Sequence, residues 1–113
     1  MEKIVKIGDQ DVPLKSTAAS LIRYKSNFGR DGLSDIFAFR KVAKNGKVDI
    51  EKIDFDIFFR FMWVFAKSAN PNIPPLETWL DQFELADVLQ NGLMAVVDLM
   101  ASTTATHVTP IKN

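Results

Sequence analysis

Two short apolar runs open the chain: Ile4, Val5 and Ile7, then Val12 and Leu14, on either side of Gly8-Asp9-Gln10-Asp11. Alternating residues around a polar turn that contains glycine predict a β-hairpin. Pro13 has no amide donor, which puts its strand at an edge. Two strands are barely stable alone, so the ribbon must lie on helices. The period then changes. Ser16-Thr17 offers an N-cap to a helix that runs to about Phe28, with Ala18, Leu21, Ile22, Lys25 and Phe28 at helical spacing and Gly29 as its stop. A second helix is predicted from Gly32 or Leu33 to Ala43, burying Leu33, Ile36 and Phe37, with Phe39 or the stem of Arg40 next in order. Lys41 and Lys44 near its end favour the helix dipole, and Asn45-Gly46 ends it.

The segment from Phe55 to Phe65 holds five of the nine phenylalanines and one of the two tryptophans. At about 100° per residue, Ile57, Phe58, Phe61, Val64 and Phe65 form one face. Phe55, Phe59, Met62 and Ala66 widen it, Trp63 lies at its margin, and only Lys52, Asp56, Arg60 and Lys67 line a narrow polar strip. Were the helix continuous from Asp49, Asp54 would fall inside the apolar arc, an expensive place for an unpaired carboxylate. The helix is therefore predicted to start with Asp54 as its N-cap and to end near Ala69-Asn70, with 49–53 as a separate turn or angled helix. Pro71, Pro74 and Pro75 forbid continuation. Pro75 suits the first turn of a fourth helix that buries Leu76, Trp79, Leu80 and Phe83. A fifth is predicted over Ala86–Ala101, burying Val88, Leu89, Leu93, Val96, Val97 and Met100. Within it Gly92 costs about 1 kcal/mol relative to alanine and permits close packing or a kink. Residues 102–113, rich in threonine and without period, read as a flexible tail. The expected fold is mainly α (α+β): a single domain over 1–101, its N-terminal hairpin packed on a bundle of about five helices.

A helix apolar over well over half its circumference needs cover on several sides, from its own chain or from another subunit. Phe59, Trp63 and Trp79 are the residues expected to contribute apolar contacts to a protein interface, tryptophan being enriched where binding energy concentrates. The net charge is zero, yet the halves differ. Residues 1–67 carry 13 basic and nine acidic side chains, a net +4, and residues 68–113 carry one basic and five acidic, a net −4. This decorates two solvent faces differently, or it aligns copies head to tail.

Chemistry is sparse. With no cysteine, disulfides, thiolate metal sites and cysteine nucleophiles are excluded. The one histidine, His107, lies in the tail. Glu77, Asp81 and Glu84 recur at helical spacing as a solvated face, and no calcium-loop pattern accompanies them. Gly29 and Gly32 flank Arg30-Asp31 without the lysine and hydroxyl residue of a phosphate loop. Arg23-Tyr24-Lys25 and Phe39-Arg40-Lys41 combine cations with aromatics, as single-strand nucleic-acid binding does, but on helices where the ring is needed for packing. Neither a catalytic residue, a metal site nor a cofactor is expected. The start of the chain shows no apolar signal-peptide core, and only six uncharged residues separate Arg60 from Lys67 against the roughly 20 of a spanning helix, so a soluble protein is expected.

The order of motifs carries a resemblance. A hairpin ending Val12-Pro13-Leu14 precedes Ser16-Thr17-Ala18-Ala19-Ser20-Leu21-Ile22-Arg23-Tyr24. Then follow Phe28-Gly29-Arg30-Asp31, a helix ending Trp63-Val64-Phe65-Ala66-Lys67, a proline-containing linker, and Trp79-Leu80-Asp81-Gln82-Phe83. Over about residues 3–100 this resembles the tail assembly chaperones of long-tailed siphophages and prophages of Gram-positive bacteria. The individual motifs are short, and segment 32–53 and the tail depart from the pattern. The resemblance implies a small, mostly helical, non-enzymatic protein of the host cytoplasm, absent from the finished virion. It implies a homo-oligomer that binds the tape-measure protein and keeps it soluble. It also implies the tail-tube protein as a further partner, reached through a frameshifted longer form. Two other readings compete: a small nucleic-acid-binding or regulatory phage protein, which needs Arg23, Lys25, Arg40, Lys41 and Lys44 on one surface, and a structural head–tail connector component.

Overall fold

The computed structural model describes residues 1–44 and 47–104. Strands β1 (Glu2–Ile7) and β2 (Gln10–Lys15) pair antiparallel with Val5 opposite Val12 and Ile7 opposite Gln10. The turn falls at Gly8-Asp9, where Gly8 has φ 59°, a left-handed value that glycine adopts without steric cost. Alternation sends Val5, Ile7, Val12 and Leu14 inward and leaves Ile4 outside. The inner face lies across the long aromatic helix, as the predicted fold requires. The edge of β1 is closed from the other side: Asn91 donates from Nδ2 to the Lys6 carbonyl at 2.8 Å, and Lys3 pairs with Asp98 at 3.2 Å.

Helix α1 spans Ser20–Phe28, starting later than Ser16-Thr17 suggests. The Thr17 hydroxyl accepts from Ala19 N–H, and the Ser20 hydroxyl accepts from Thr17 N–H. This reciprocal pair resembles a capping box and holds a non-helical turn ahead of the helix. Gly29 ends α1 at φ 68°, its N–H reaching the Lys25 carbonyl, as expected. The buried stripe differs from the expected one. Ser20 and Tyr24 are buried and Phe28 is partly covered, whereas Lys25 and Ile22, the latter 69% exposed, face solvent.

Helix α2 spans Gly32–Arg40, capped by the Asp31 carboxylate, which accepts from Leu33 N–H. Its inward stripe is Gly32, Asp35, Ile36 and Phe39, so the expectation of buried Leu33 and Phe37 is corrected: both are exposed. The helix also stops before Ala43. Ala43–Lys44 (β3) instead pairs antiparallel with Lys47–Val48 (β4). Asn45-Gly46, expected to end the helix, lie outside the described residues.

Helix α3 spans Phe55–Ala69, with Asp54 as N-cap accepting from Asp56 and Ile57 N–H. Residues 50–52 form a separate turn, with the Asp49 carboxylate accepting from Glu51 N–H. Both agree with the argument that Asp54 cannot sit inside the apolar arc. Around α3 lie the hairpin, α1, α2, the proline loop with α4 (Leu76–Leu80), and the C-terminal rod. The rod runs Leu85–Thr104: α5 (Leu85–Asp87), a π-helical turn (Val88–Gly92) and α6 (Leu93–Thr104). Gly92 supplies close packing, since a Cβ there would stand 3.1 Å from Met62 Cε. The rod extends three residues past the expected Ala101, so Ser102, Thr103 and Thr104 belong to the helix and not to a tail; residues 105–113, His107 among them, lie outside the described residues. By length and composition alone the rod could cross a membrane. Here its Val88, Leu93, Val96, Leu99 and Met100 belong to the core.

Candidate interaction site

The three aromatic residues singled out from sequence have different fates. Trp63 is 4% exposed; its indole N–H donates to the Pro74 carbonyl at 2.9 Å, and Lys67 covers the ring with its ammonium 5.6 Å from the centroid. Trp79 is 3% exposed and meets Phe83 edge-on. Both indoles are spent inside the subunit, which corrects their assignment to an interface. The proline loop folds back over α3 and satisfies the Trp63 donor, which answers the demand for a second subunit as cover. Phe59 differs. It is partly exposed, and with Phe28, Leu76 and Leu80 it lines a groove of about 440 Å³ between the end of α1, the first turns of α3 and α4.

The walls of this groove are apolar, and its rims carry Asp56 and Glu77, both exposed. Arg60 completes the lining but is bound from below. Its Nε donates to the Tyr24 hydroxyl at 2.8 Å, and its Nη2 stands 3.5 Å from Asp35 Oδ2. Asp35 itself is buried and accepts from Tyr24 Oη at 2.6 Å and from both Nε and Nη2 of Arg30 at 2.8 Å. The forked Arg30 guanidinium, outweighing burial, holds the Asp35 carboxyl below its ordinary value, with Tyr24 and Arg60 adding to the effect. Burial, reinforced by the bond to Asp35, pushes the Tyr24 phenol well above its ordinary value. The Tyr24 ring stacks on Phe61 with centroids 4.1 Å apart. A charged network thus fixes three helices beneath the groove, α1 through Tyr24, α2 through Asp35 and α3 through Arg60.

Periodicity in apolar residues alone does not reveal this network. The signal lies in the spacing of the inward stripes: buried 20 and 24 with half-buried 28 in α1, and buried 32, 35, 36 and 39 in α2. Each includes polar residues where a count of hydrophobic side chains finds none. Gly32 belongs to the same packing, because a Cβ there would meet Leu21 Cδ2 at 2.9 Å and Phe61 Cζ and Tyr24 Cδ1 at 3.3 Å.

Of the basic residues that a nucleic-acid surface would need, Arg23 donates to Ser68 at 2.6 Å between α1 and α3. Arg40 donates to Thr104 at 2.8 Å between α2 and α6. The two are drawn to separate helix junctions. Glu77, Asp81 and Glu84 are exposed as expected, and among the described residues no group of three or more carboxylates or histidines could hold a metal ion. Comparison with protein-family models, with characterised proteins and with solved structures finds no match to this chain.

Proposed function

We propose that the protein is a non-enzymatic assembly chaperone that binds an extended helical client, the tape-measure protein of a phage tail, and keeps it soluble in the host cytoplasm during tail assembly. The observation that carries the reading is the groove of Phe28, Phe59, Leu76 and Leu80 with Asp56 and Glu77 on its rims. A helix docks in such a groove by placing apolar anchors one turn apart against its walls. The acidic rims favour a client with lysine or arginine beside those anchors. The order of motifs that resembles tail assembly chaperones supports the same reading, and it brings the tail-tube protein, reached through a longer form, as a second proposed partner.

Co-expression with the tape-measure protein from the same genome tests it. The expected result is a several-fold gain in soluble tape-measure protein and its co-purification, with both lost in the variant Leu76→Lys. Unchanged solubility together with no co-purification would remove the proposal.

A further inference from the structure

The two faces of α2 meet different surroundings. Gly32, Asp35, Ile36 and Phe39 pack inward, whereas Leu33 and Phe37, 38% and 51% exposed, stand one turn apart on the outward crest. Their neighbours on that crest, Ser34 and Ala38, are small and exposed, so the two apolar side chains project beyond them. Ile22 of α1 borders the same crest: with Leu21 and Lys25 it shares a shallow depression that reaches Asp31 and Gly32 at the start of α2. Cations frame this apolar strip. Lys25 lies at the Ile22 end. Lys41 continues the Leu33–Phe37 row by one more turn and shares a second depression with Lys47 and Lys52. Lys25, Lys41 and Lys47 are exposed and, among the described residues, paired with no carboxylate. Of the acidic groups beside them, Asp31 is engaged in capping Leu33 and Ser34, Asp49 faces Lys52 at 3.8 Å, and Asp35 is buried, leaving Glu51 exposed in the turn beyond β4.

We propose that this strip is a membrane-binding surface, by which the protein attaches reversibly to a bilayer rich in anionic lipid. Ile22, Leu33 and Phe37 enter the boundary between headgroups and acyl chains, while Lys25, Lys41 and Lys47 stay at the level of the lipid phosphates. A projecting crest suits a fluid layer better than a folded protein, because lipids close around a convex wedge that a rigid partner accepts only with a matching groove. Charge complementarity selects the lipid. Residues 20–52 carry eight basic and four acidic side chains, a net +4, which is the whole basic excess of the first 67 residues. Each lysine held at an anionic surface strengthens attachment about fivefold, so three give a preference of about a hundredfold over a neutral bilayer. Attachment of this kind is peripheral and sensitive to salt. The strip shares no residue with the groove of Phe28, Phe59, Leu76 and Leu80, so it does not depend on what the groove binds.

Flotation of the purified chain with vesicles of phosphatidylcholine alone, and of the same lipid with about one-third phosphatidylglycerol, is the test. The chain should float with the anionic vesicles, leave them as salt rises and stay off the neutral ones. Phe37→Ser should lower the partition about tenfold, and Lys41→Gln combined with Lys47→Gln about 25-fold. All three positions are exposed, so the melting temperature should not change. Phe37→Trp keeps an aromatic anchor. Since Trp63 and Trp79 are buried, its added emission should move to the blue on binding and be quenched by lipids brominated on the acyl chains. Leu76→Lys should float as the wild type does, so failure of client rescue leaves this surface standing. No flotation with anionic vesicles, equal flotation with neutral ones, an undiminished Phe37→Ser or loss of flotation in Leu76→Lys would overturn the proposal. So would unshifted emission, which means adhesion by charge alone, and retention on single-stranded nucleic acid without flotation, which assigns the lysines to that partner.

Discussion

Replacing Asp35 by asparagine tests whether the network beneath the groove holds the helices together. The substitution keeps the shape and removes the charge that faces Arg60, a side chain only 18% exposed. Removing one partner of a buried ion pair costs about 3–5 kcal/mol, chiefly because the remaining charge is left uncompensated. Here Arg30 is more than half exposed, and pairing at such a position is screened by water and contributes little. The expected loss is therefore smaller than that range, about 2–3 kcal/mol, and it comes from Arg60 and Tyr24. For a chain of this length that lowers Tm by about 8–12 °C. The pH dependence follows from the depressed Asp35 carboxyl. Because its folded pKa lies below its unfolded one, the stabilisation is fully present above pH ~4 and fades as pH falls through the folded value. Urea denaturation of wild type and Asp35→Asn at neutral pH, then in steps from pH 5 downward, should show a gap that narrows only at acid pH. A gap under about 1 kcal/mol at neutral pH, or one that stays constant throughout the acid series, would refute the assignment.

The other tests concern local geometry. Asp54→Ala removes the acceptor for two N–H groups at the start of α3 and should cost about 1 kcal/mol in the same denaturation assay, with Asp54→Ser recovering most of it. Gly32→Ala and Gly92→Ala should differ in outcome although both replace helical glycines. At Gly32 the new methyl meets Leu21, Tyr24 and Phe61 within 3.3 Å in a packed wall, which should destabilise by about 1–3 kcal/mol. At Gly92 the nearest atom is the mobile end of Met62 at 3.1 Å, so the gain of up to about 1 kcal/mol in helix propensity offsets the crowding and Tm should change little.

The main features of the fold were legible because strong local signals agreed with the core. Alternation placed the hairpin, and the cost of burying Asp54 placed the start of α3 on the residue observed as its cap. Proline placed the break before α4. The second helix was less legible, because its outward face is as apolar as its inward one: Leu33 and Phe37 compete with Ile36 and Phe39, and no count of hydrophobic residues separates them. What decides between them is Asp35, drawn inward by Tyr24, Arg30 and Arg60. The network joins Tyr24 to Arg60 across 36 residues and three helices, and a count of apolar residues does not register it. The short pairing of β3 with β4 went unread for a related reason. Asn-Gly is a strong hairpin signal, but the runs beside it are only two residues long and merge with the helical pattern.

The rings crowded on α3 are mostly spent on its own cover, and few of them reach the surface. A chain of 113 residues does hide Phe58, Phe61, Trp63 and Phe65, because it surrounds one rod with a hairpin, a proline loop and other helices. The capacity for contact therefore lies where packing leaves apolar side chains outside, at Phe59 in the groove and at Leu33 and Phe37 on α2. Each of these residues stands on a helix that the Asp35 network ties to its neighbours, through Arg60 on α3 and through Asp35 itself on α2. A groove whose walls are held in place before binding loses little entropy on receiving a helix. If Asp35→Asn loosens the packing of α1 and α2 on α3, client capture should weaken more than the loss of folded protein accounts for. Equal losses of binding and folded fraction would mean that the network contributes stability alone and does not shape the groove.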